Sequence, residues 1–190
     1  MKNITIIGAG YVGLVTAVCL AELGNKIICH DIDAGKIKSL KTGRAPFYEP
    51  DLVDLLKKNQ DIGRLKFTLN LNEALKQAQI IFICVGTPPR VDGSADMRMY
   101  FKVARDIGRW LHRNPTQPPL SKGRGGRGVS LIIINKSTDP VGTAREAAQI
   151  IQKIAPDSQF SIVSNPEFLR EGVAVKDFMK PERIVIGLNL

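Results

Sequence analysis

Residues 4–13, Ile-Thr-Ile-Ile-Gly-Ala-Gly-Tyr-Val-Gly, constrain the fold of this chain more than any other stretch. An apolar run ends in Gly8-x-Gly10-x-x-Gly13, and a helical pattern from Leu14 to Leu23 follows at once. Each glycine has a separate physical job. Gly8 lets a strand turn sharply, Gly10 lacks the Cβ that would hold a pyrophosphate away from the backbone, and Gly13 lets the helix pack close to the sheet. The helix start then offers unpaired N–H groups and partial positive charge to phosphates. The glycine pattern alone is weak; strand, helix, second strand and a terminal acid around it give it weight.

That acid is Asp31, which closes the second apolar run, Lys26-Ile27-Ile28-Cys29-His30, 18 positions after Gly13. The expected spacing is about 20 residues. A carboxylate there can accept from both ribose hydroxyls and repels a 2′-phosphate, so the pattern reads as NAD rather than NADP. Asp31 could otherwise be a plain turn or capping residue. Lys36, one turn into the next helix, either approaches the adenosine ribose or phosphate from the side or is a solvated lysine.

Further along, Ile80–Val85 is a continuous apolar run, read as a buried parallel strand that ends at the rigid Gly86-Thr87-Pro88-Pro89 loop. Asp96 is expected to cap a long helix through Leu111. Val129–Asn135, Phe160–Val163 and Arg183–Gly187 read as further strands. Helices are expected at Lys36–Lys41, Asp51–Asn59, Asn72–Gln77, Val141–Ile154 and Gly172–Phe178. Strands alternating with helices imply an α/β, Rossmann-like, doubly wound parallel sheet with helices on both faces. At 190 residues, 44% hydrophobic and 24% charged, the chain suits one such domain, spanning 1–190. Residues 113–128 interrupt the pattern with too few apolar groups to offset ordering, and are expected to form a flexible inserted loop.

The net charge of +9 invites a nucleic-acid reading. Four of the cations, Arg113, Lys122, Arg124 and Arg127, lie in that acid-free loop, and the rest are spread as on solvated helix faces. The Gly-Arg-Gly-Gly-Arg-Gly stretch resembles arginine–glycine boxes of RNA-binding tails, but a single box is outweighed by the inserted-loop reading. Cys19, Cys29 and Cys84 all sit inside apolar patterns, which reads as buried, reduced thiols without a disulfide framework. The histidines His30 and His112 form no cluster, so no metal site is expected. With neither a signal-peptide pattern nor an apolar stretch of membrane length, a cytoplasmic protein is expected.

Five loops carry unusual sequences at the carboxyl edge. They are Gly43-Arg-Ala-Pro-Phe-Tyr-Glu-Pro50, Val85–Pro89 with Asp92–Met97, Lys136-Ser-Thr-Asp-Pro-Val-Gly-Thr143, Ser164-Asn-Pro-Glu-Phe-Leu-Arg-Glu-Gly172 and Pro181–Gly187. In this order they resemble the NAD-binding N-terminal domain of the UDP-glucose/GDP-mannose dehydrogenase family, most nearly its UDP-glucose branch. The resemblance covers the chain except for 113–128.

The resemblance implies oxidation of a sugar C6 alcohol to a carboxylate in two NAD-dependent steps, through a thioester on a cysteine. It makes Val12, Asp31, Lys36, Thr87, Thr138 and Glu171 NAD contacts beside the glycines Gly8, Gly10 and Gly13. It makes Thr138 and Glu167 catalytic, Glu167 as base towards water and Thr138 orienting water or a sugar hydroxyl. Glu167, Phe168, Leu169, Arg170 and Glu171 would line the sugar-nucleotide site. Read without it, Glu167 is a helix N-terminal acid and Thr138 a capping hydroxyl. Asp139 departs from the family, which has valine there, and would place a carboxylate near the nicotinamide. The family's nucleophilic cysteine, lysine and asparagine belong to a linking helix and C-terminal domain beyond Leu190. On this reading the chain is a truncated or separately encoded portion that binds NAD(H) with little or no turnover alone. A partner chain could carry the missing domain, and the oligomeric state is left open. UDP-glucose is the default sugar nucleotide; GDP-mannose and UDP-N-acetyl sugars stay open, as does a module that acts by binding alone.

Overall fold

The computed structural model describes residues 1–115, 131–136 and 140–188. Its strands are β1 (Asn3–Ile7), β2 (Lys26–His30), β3 (Leu65–Thr68), β4 (Ile80–Ile83), β5 (Leu131–Asn135), β6 (Phe160–Ser164) and β7 (Gly187–Leu188). Among the described residues they form one sheet in the order β3-β2-β1-β4-β5-β6-β7. The order reverses at β1 and β4, the switch point where open α/β sheets bind ligands. All pairs are parallel except the last, where Ser164 meets Gly187 and Val163 meets Leu188 antiparallel.

The sheet is buried on both faces because its strands alternate apolar residues to each side. Ile4, Ile6, Cys29, Phe82 and Cys84 face one core, and Ile7, Ile81, Ile83, Leu131 and Ile133 face the other. Four helices cover the first: α1 (Tyr11–Glu22), α2 (Ala34–Lys41), α3 (Leu52–Asp61) and α7 (Ala174–Met179). The second lies under α4 (Leu71–Leu75), α5 (Arg98–Arg113) and α6 (Thr143–Ile154). Helix α1 is apolar on nearly every side and correspondingly buried, from Gly13 through Cys19. Each fully buried Ile or Leu here contributes about 1.5–3 kcal/mol relative to exposure.

Local chemistry sets several boundaries. Asp33 caps α2 by accepting the Lys36 amide at 2.9 Å, and Asn70 caps α4 through the Asn72 and Glu73 amides. The cap expected at Asp96 is shifted. Met97 occupies the N-cap of α5, while Asp96 Oδ1 accepts the Arg98 amide at 3.1 Å and pairs with its guanidinium.

The strand expected at Arg183–Gly187 is a second departure. Only Gly187 and Leu188 pair, antiparallel, and Ile184, Val185 and Ile186 are exposed. The reason is topological: α7 packs on α1 rather than crossing over β6, so the chain returns along the edge in reverse. The start expected for β5, Val129 and Ser130, lies outside the described residues, as do residues 116–128 of the expected loop.

Candidate functional site

The three glycines of the first turn differ in what holds them. Gly8 has φ +101°, and a Cβ there would meet the Cys84 carbonyl oxygen at 2.5 Å. Its amide donates to the His30 carbonyl at 2.8 Å. A Cβ on Gly13 would lie 1.9 Å from the Gly8 carbonyl oxygen. At Gly10 a Cβ would meet nothing within 4 Å. The protein itself therefore requires Gly8 and Gly13, whereas the space above Gly10 is left open at the start of α1. No side chain caps α1, so its first amides, including that of Val12, face this opening.

Asp31 stands at the end of β2, 8% exposed. Its Oδ2 accepts from the Ala9 amide at 2.8 Å and the Lys36 ammonium at 2.9 Å, and its Oδ1 from the Asp33 amide at 3.0 Å. Burial pushes this carboxyl up, but the Asp33 and Ala9 amides and Lys36 outweigh it and hold it below the usual aspartate value. Lys36 is thus neither free nor fully solvated: it is paired with the acid.

These residues border a cleft of about 390 Å³ between Gly8, Gly10 and Asp31 on one side and Val85, Met99 and Val103 on the other. His30, at the same strand end, has its Nδ1 3.2 Å from the Thr68 carbonyl. Burial lowers its pKa, with the Thr68 contact opposing. Thr87 follows β4 at the carboxyl edge, half-buried. Open space at Gly10, free helix amides and a charged carboxylate beside the turn together fit the pyrophosphate and ribose of a dinucleotide.

The other expected segment leaves β6 at the same sheet edge. Glu167 is half-buried and its Oε2 accepts the Leu169 amide at 2.7 Å, which folds the loop back on itself. Arg170 makes a two-pronged pair with Asp177, at 3.0 Å from Nε and 2.7 Å to Oδ1. Phe168 is half exposed, with the Arg183 guanidinium 5.5 Å from its ring centre, and Glu171 is exposed. Phe168, Arg170, Lys176, Lys180 and Arg183 border a second cleft of about 400 Å³. Thr138 and Asp139 lie outside the described residues, as do Lys122, Arg124 and Arg127.

Two residues without an assigned role in the sequence stand out. Lys136, just after β5, is 8% exposed, with its ammonium 6.0 Å from the centre of the Phe178 ring. Burial pulls its pKa below the usual lysine value, while Cys84 and Glu167 oppose this. The position of Lys136 directly after an apolar strand, at the head of the Lys136–Thr143 loop, is the signal that could have marked it. The second is Glu49, 3% exposed, which accepts from the Tyr11 hydroxyl and the Gly172 and Ala174 amides. Its place between Tyr48 and Pro50 gives no periodic signal.

Cys19, Cys29 and Cys84 are free and buried. Burial pushes the thiols of Cys19 and Cys84 up to about 12. Among the described residues no group of three or more His, Cys, Asp or Glu is placed to hold a metal, and no helix is long and apolar enough to cross a membrane.

Comparison with known proteins gives consistent matches. The family model described as "UDP-glucose/GDP-mannose dehydrogenase family, NAD binding domain" matches residues 2–189. A UDP-glucose 6-dehydrogenase of Rhizobium meliloti is 44% identical over 188 residues, 98% of this chain and 39% of that one. UDP-glucose 6-dehydrogenase TuaD of Bacillus subtilis is 46% identical, over 98% and 37%. Among solved structures, a UDP-glucose dehydrogenase from Pyrobaculum islandicum superposes with a TM-score of 0.87 at 39% identity, covering 99% of this chain and 41% of that one. A GDP-mannose dehydrogenase from Pseudomonas aeruginosa, solved as a ternary complex, superposes with 0.88 at 32% identity, over 98% and 41%. The chain spans about two fifths of the length of these two curated relatives.

Proposed function

Because the chain belongs to the UDP-glucose/GDP-mannose dehydrogenase family, whose NAD-binding domain it carries, we propose that it supplies the NAD half of a UDP-glucose 6-dehydrogenase. The observation that carries this is an open Gly10 beside a charged, buried Asp31 on the same side of one cleft. Bound NAD supplies the acceptor for hydride leaving the sugar C6. The Gly8–Gly13 turn and the first amides of α1, with Val12, hold its pyrophosphate, and Asp31 and Lys36 hold its adenosine ribose. Thr87, Thr138 and Glu171 complete the cofactor contacts.

Residues 167–171 would form the sugar-nucleotide wall; beside them Phe168 and Arg170 border a cleft where Lys176, Lys180 and Arg183 stand with Asp177 and Glu182, and where Arg170 is already paired with Asp177. Glu167 takes the proton from attacking water in the hydrolytic step, and Thr138 orients the water or the sugar hydroxyl. A covalent step needs a thiolate, and thiols held near 12 carry almost none at neutral pH. These thiols are thus poorly suited to be the nucleophile, and on the family resemblance the nucleophile and the groups that polarise the reacting oxygen would be supplied by a further domain, in this polypeptide or in a partner chain. UDP-glucose is the preferred sugar nucleotide because both curated relatives named above are UDP-glucose dehydrogenases. A cytoplasmic setting agrees with three unpaired cysteines.

Calorimetric titration of the 190-residue chain tests this reading. NADH is expected to bind saturably at one site, and UDP-glucose with NAD⁺ to give little or no NADH production. Folded protein that shows no heat with NADH would remove the cofactor role. Turnover at an ordinary enzyme rate would remove the division of labour.

A further inference from the structure

Glu49 borders neither cleft, yet it is bonded to an element beside each. Its partners among the described residues are all neutral donors: the Tyr11 hydroxyl at 2.6 Å, the Gly172 amide at 2.8 Å, the Ala174 amide at 2.7 Å and the Val175 amide. A buried carboxylate stays charged only where donors replace water. Burial pushes Glu49 up, but Tyr11 and the three amides more than offset this and hold it below the usual glutamate value. In turn, burial and Glu49 push the Tyr11 hydroxyl well above the usual tyrosine value, so the proton stays on Tyr11.

The geometry joins three distant segments. Tyr11 is the first residue of α1, the helix whose start borders the dinucleotide cleft, and its hydroxyl also lies 3.3 Å from the Arg170 carbonyl. Helix α7 has no cap of its own, since Val173 offers no acceptor; Glu49 takes that place from 125 residues before Ala174. The segment Glu167–Glu171 runs directly into these contacts, with Arg170 held at its carbonyl and Gly172 following at once. Two residues after Glu49, Asp51 has φ 63°, a left-handed conformation that no other non-glycine residue adopts among those described. Such a conformation persists where surrounding contacts over-determine it.

We propose that Glu49 is a positioning residue, which fixes the 167–172 segment against the first turn of α1 and so sets the sugar-nucleotide wall at a constant distance from the dinucleotide cleft. This rests on the reading of residues 167–171 given above. The carboxylate makes no contact with either ligand; it acts through Tyr11 and through the amides that close the segment.

Glu49→Gln in the 190-residue chain tests it, because it keeps the size and leaves one acceptor oxygen where two served. Hydrogen exchange at the Gly172 and Ala174 amides is expected to quicken at least tenfold, and UDP-glucose affinity to fall at least tenfold. NADH affinity is expected to change less than twofold, since the glycine turn is held by His30 and Cys84. Tyr11→Phe keeps the ring packed on Phe47 at 4.8 Å and should quicken the same amides to a smaller degree, which serves if Glu49→Gln does not fold. Unchanged exchange at both amides overturns the proposal, as does an equal loss of NADH and UDP-glucose affinity. If the wild-type chain takes up no UDP-glucose, the sugar-site reading fails, while the exchange rates still decide the role of Glu49.

Discussion

The Lys36 ammonium lies 2.9 Å from Asp31 Oδ2, the same oxygen that accepts the Ala9 amide at 2.8 Å. The residue read as the ribose acceptor is thus already charged, oriented and partly neutralised before any ligand arrives. Its remaining lone pairs are those that a ribose must use.

Replacing the carboxylate tests that role. Hydrogen bonds to a charged group contribute about 1.5–3 kcal/mol each, or roughly 10- to 100-fold in affinity. Asp31→Asn is expected to weaken NADH binding by that factor in a calorimetric titration. Wild-type affinity in the variant would remove Asp31 from the cofactor site.

Lys36 has the opposite effect on selectivity. Its charge offsets the repulsion that Asp31 exerts on a 2′-phosphate. Lys36→Met should therefore raise the preference for NADH over NADPH, by about tenfold, or ~1.4 kcal/mol. Competition between the two cofactors in a fluorescence titration would measure it, and an unchanged ratio would contradict the argument.

The glycines divide into structural and ligand-serving positions. Gly13→Ala puts a Cβ 1.9 Å from the Gly8 carbonyl oxygen and should destabilise the fold by about 3 kcal/mol or more. Gly10→Ala meets no protein atom within 4 Å and should cost under about 1 kcal/mol, yet lose at least tenfold in NADH affinity. Urea unfolding and calorimetry together separate the two effects.

His30 should make stability depend on pH. Its folded-state pKa is lowered by burial, so between that value and the unfolded value of about 6.5 the unfolded chain binds the extra proton. Stability is then fully present above about 6.5 and is lost as pH falls towards the folded value. Melting temperatures from pH 7 down to 5 should decline in the wild type and decline less in His30→Gln. Parallel curves would assign the dependence elsewhere.

Most of the dinucleotide half was legible because its signals are local. The turn at Gly8, the helix after Gly10 and the acid at Asp31 depend on neighbours within one β-α-β unit, where spacing translates directly into geometry. Lys36 was legible only as an alternative, since pairing with Asp31 depends on how α2 packs after the strand. The sequence placed the Asn165-Pro166-Glu167 loop directly after a strand, where it stands, but gave no sign of the pairing of Arg170 with Asp177.

Continuous apolar runs alternating with helical patterns determined by themselves that this chain makes a doubly wound sheet, because a strand buried on both faces admits few other neighbours. The glycine turn likewise determined its first loop through steric limits on φ and Cβ. Only the tertiary structure decided that β7 runs antiparallel and that Glu49 caps a helix 125 residues away. Those outcomes depend on which buried donors find an acceptor once the layers have packed, and no sequence interval encodes that meeting.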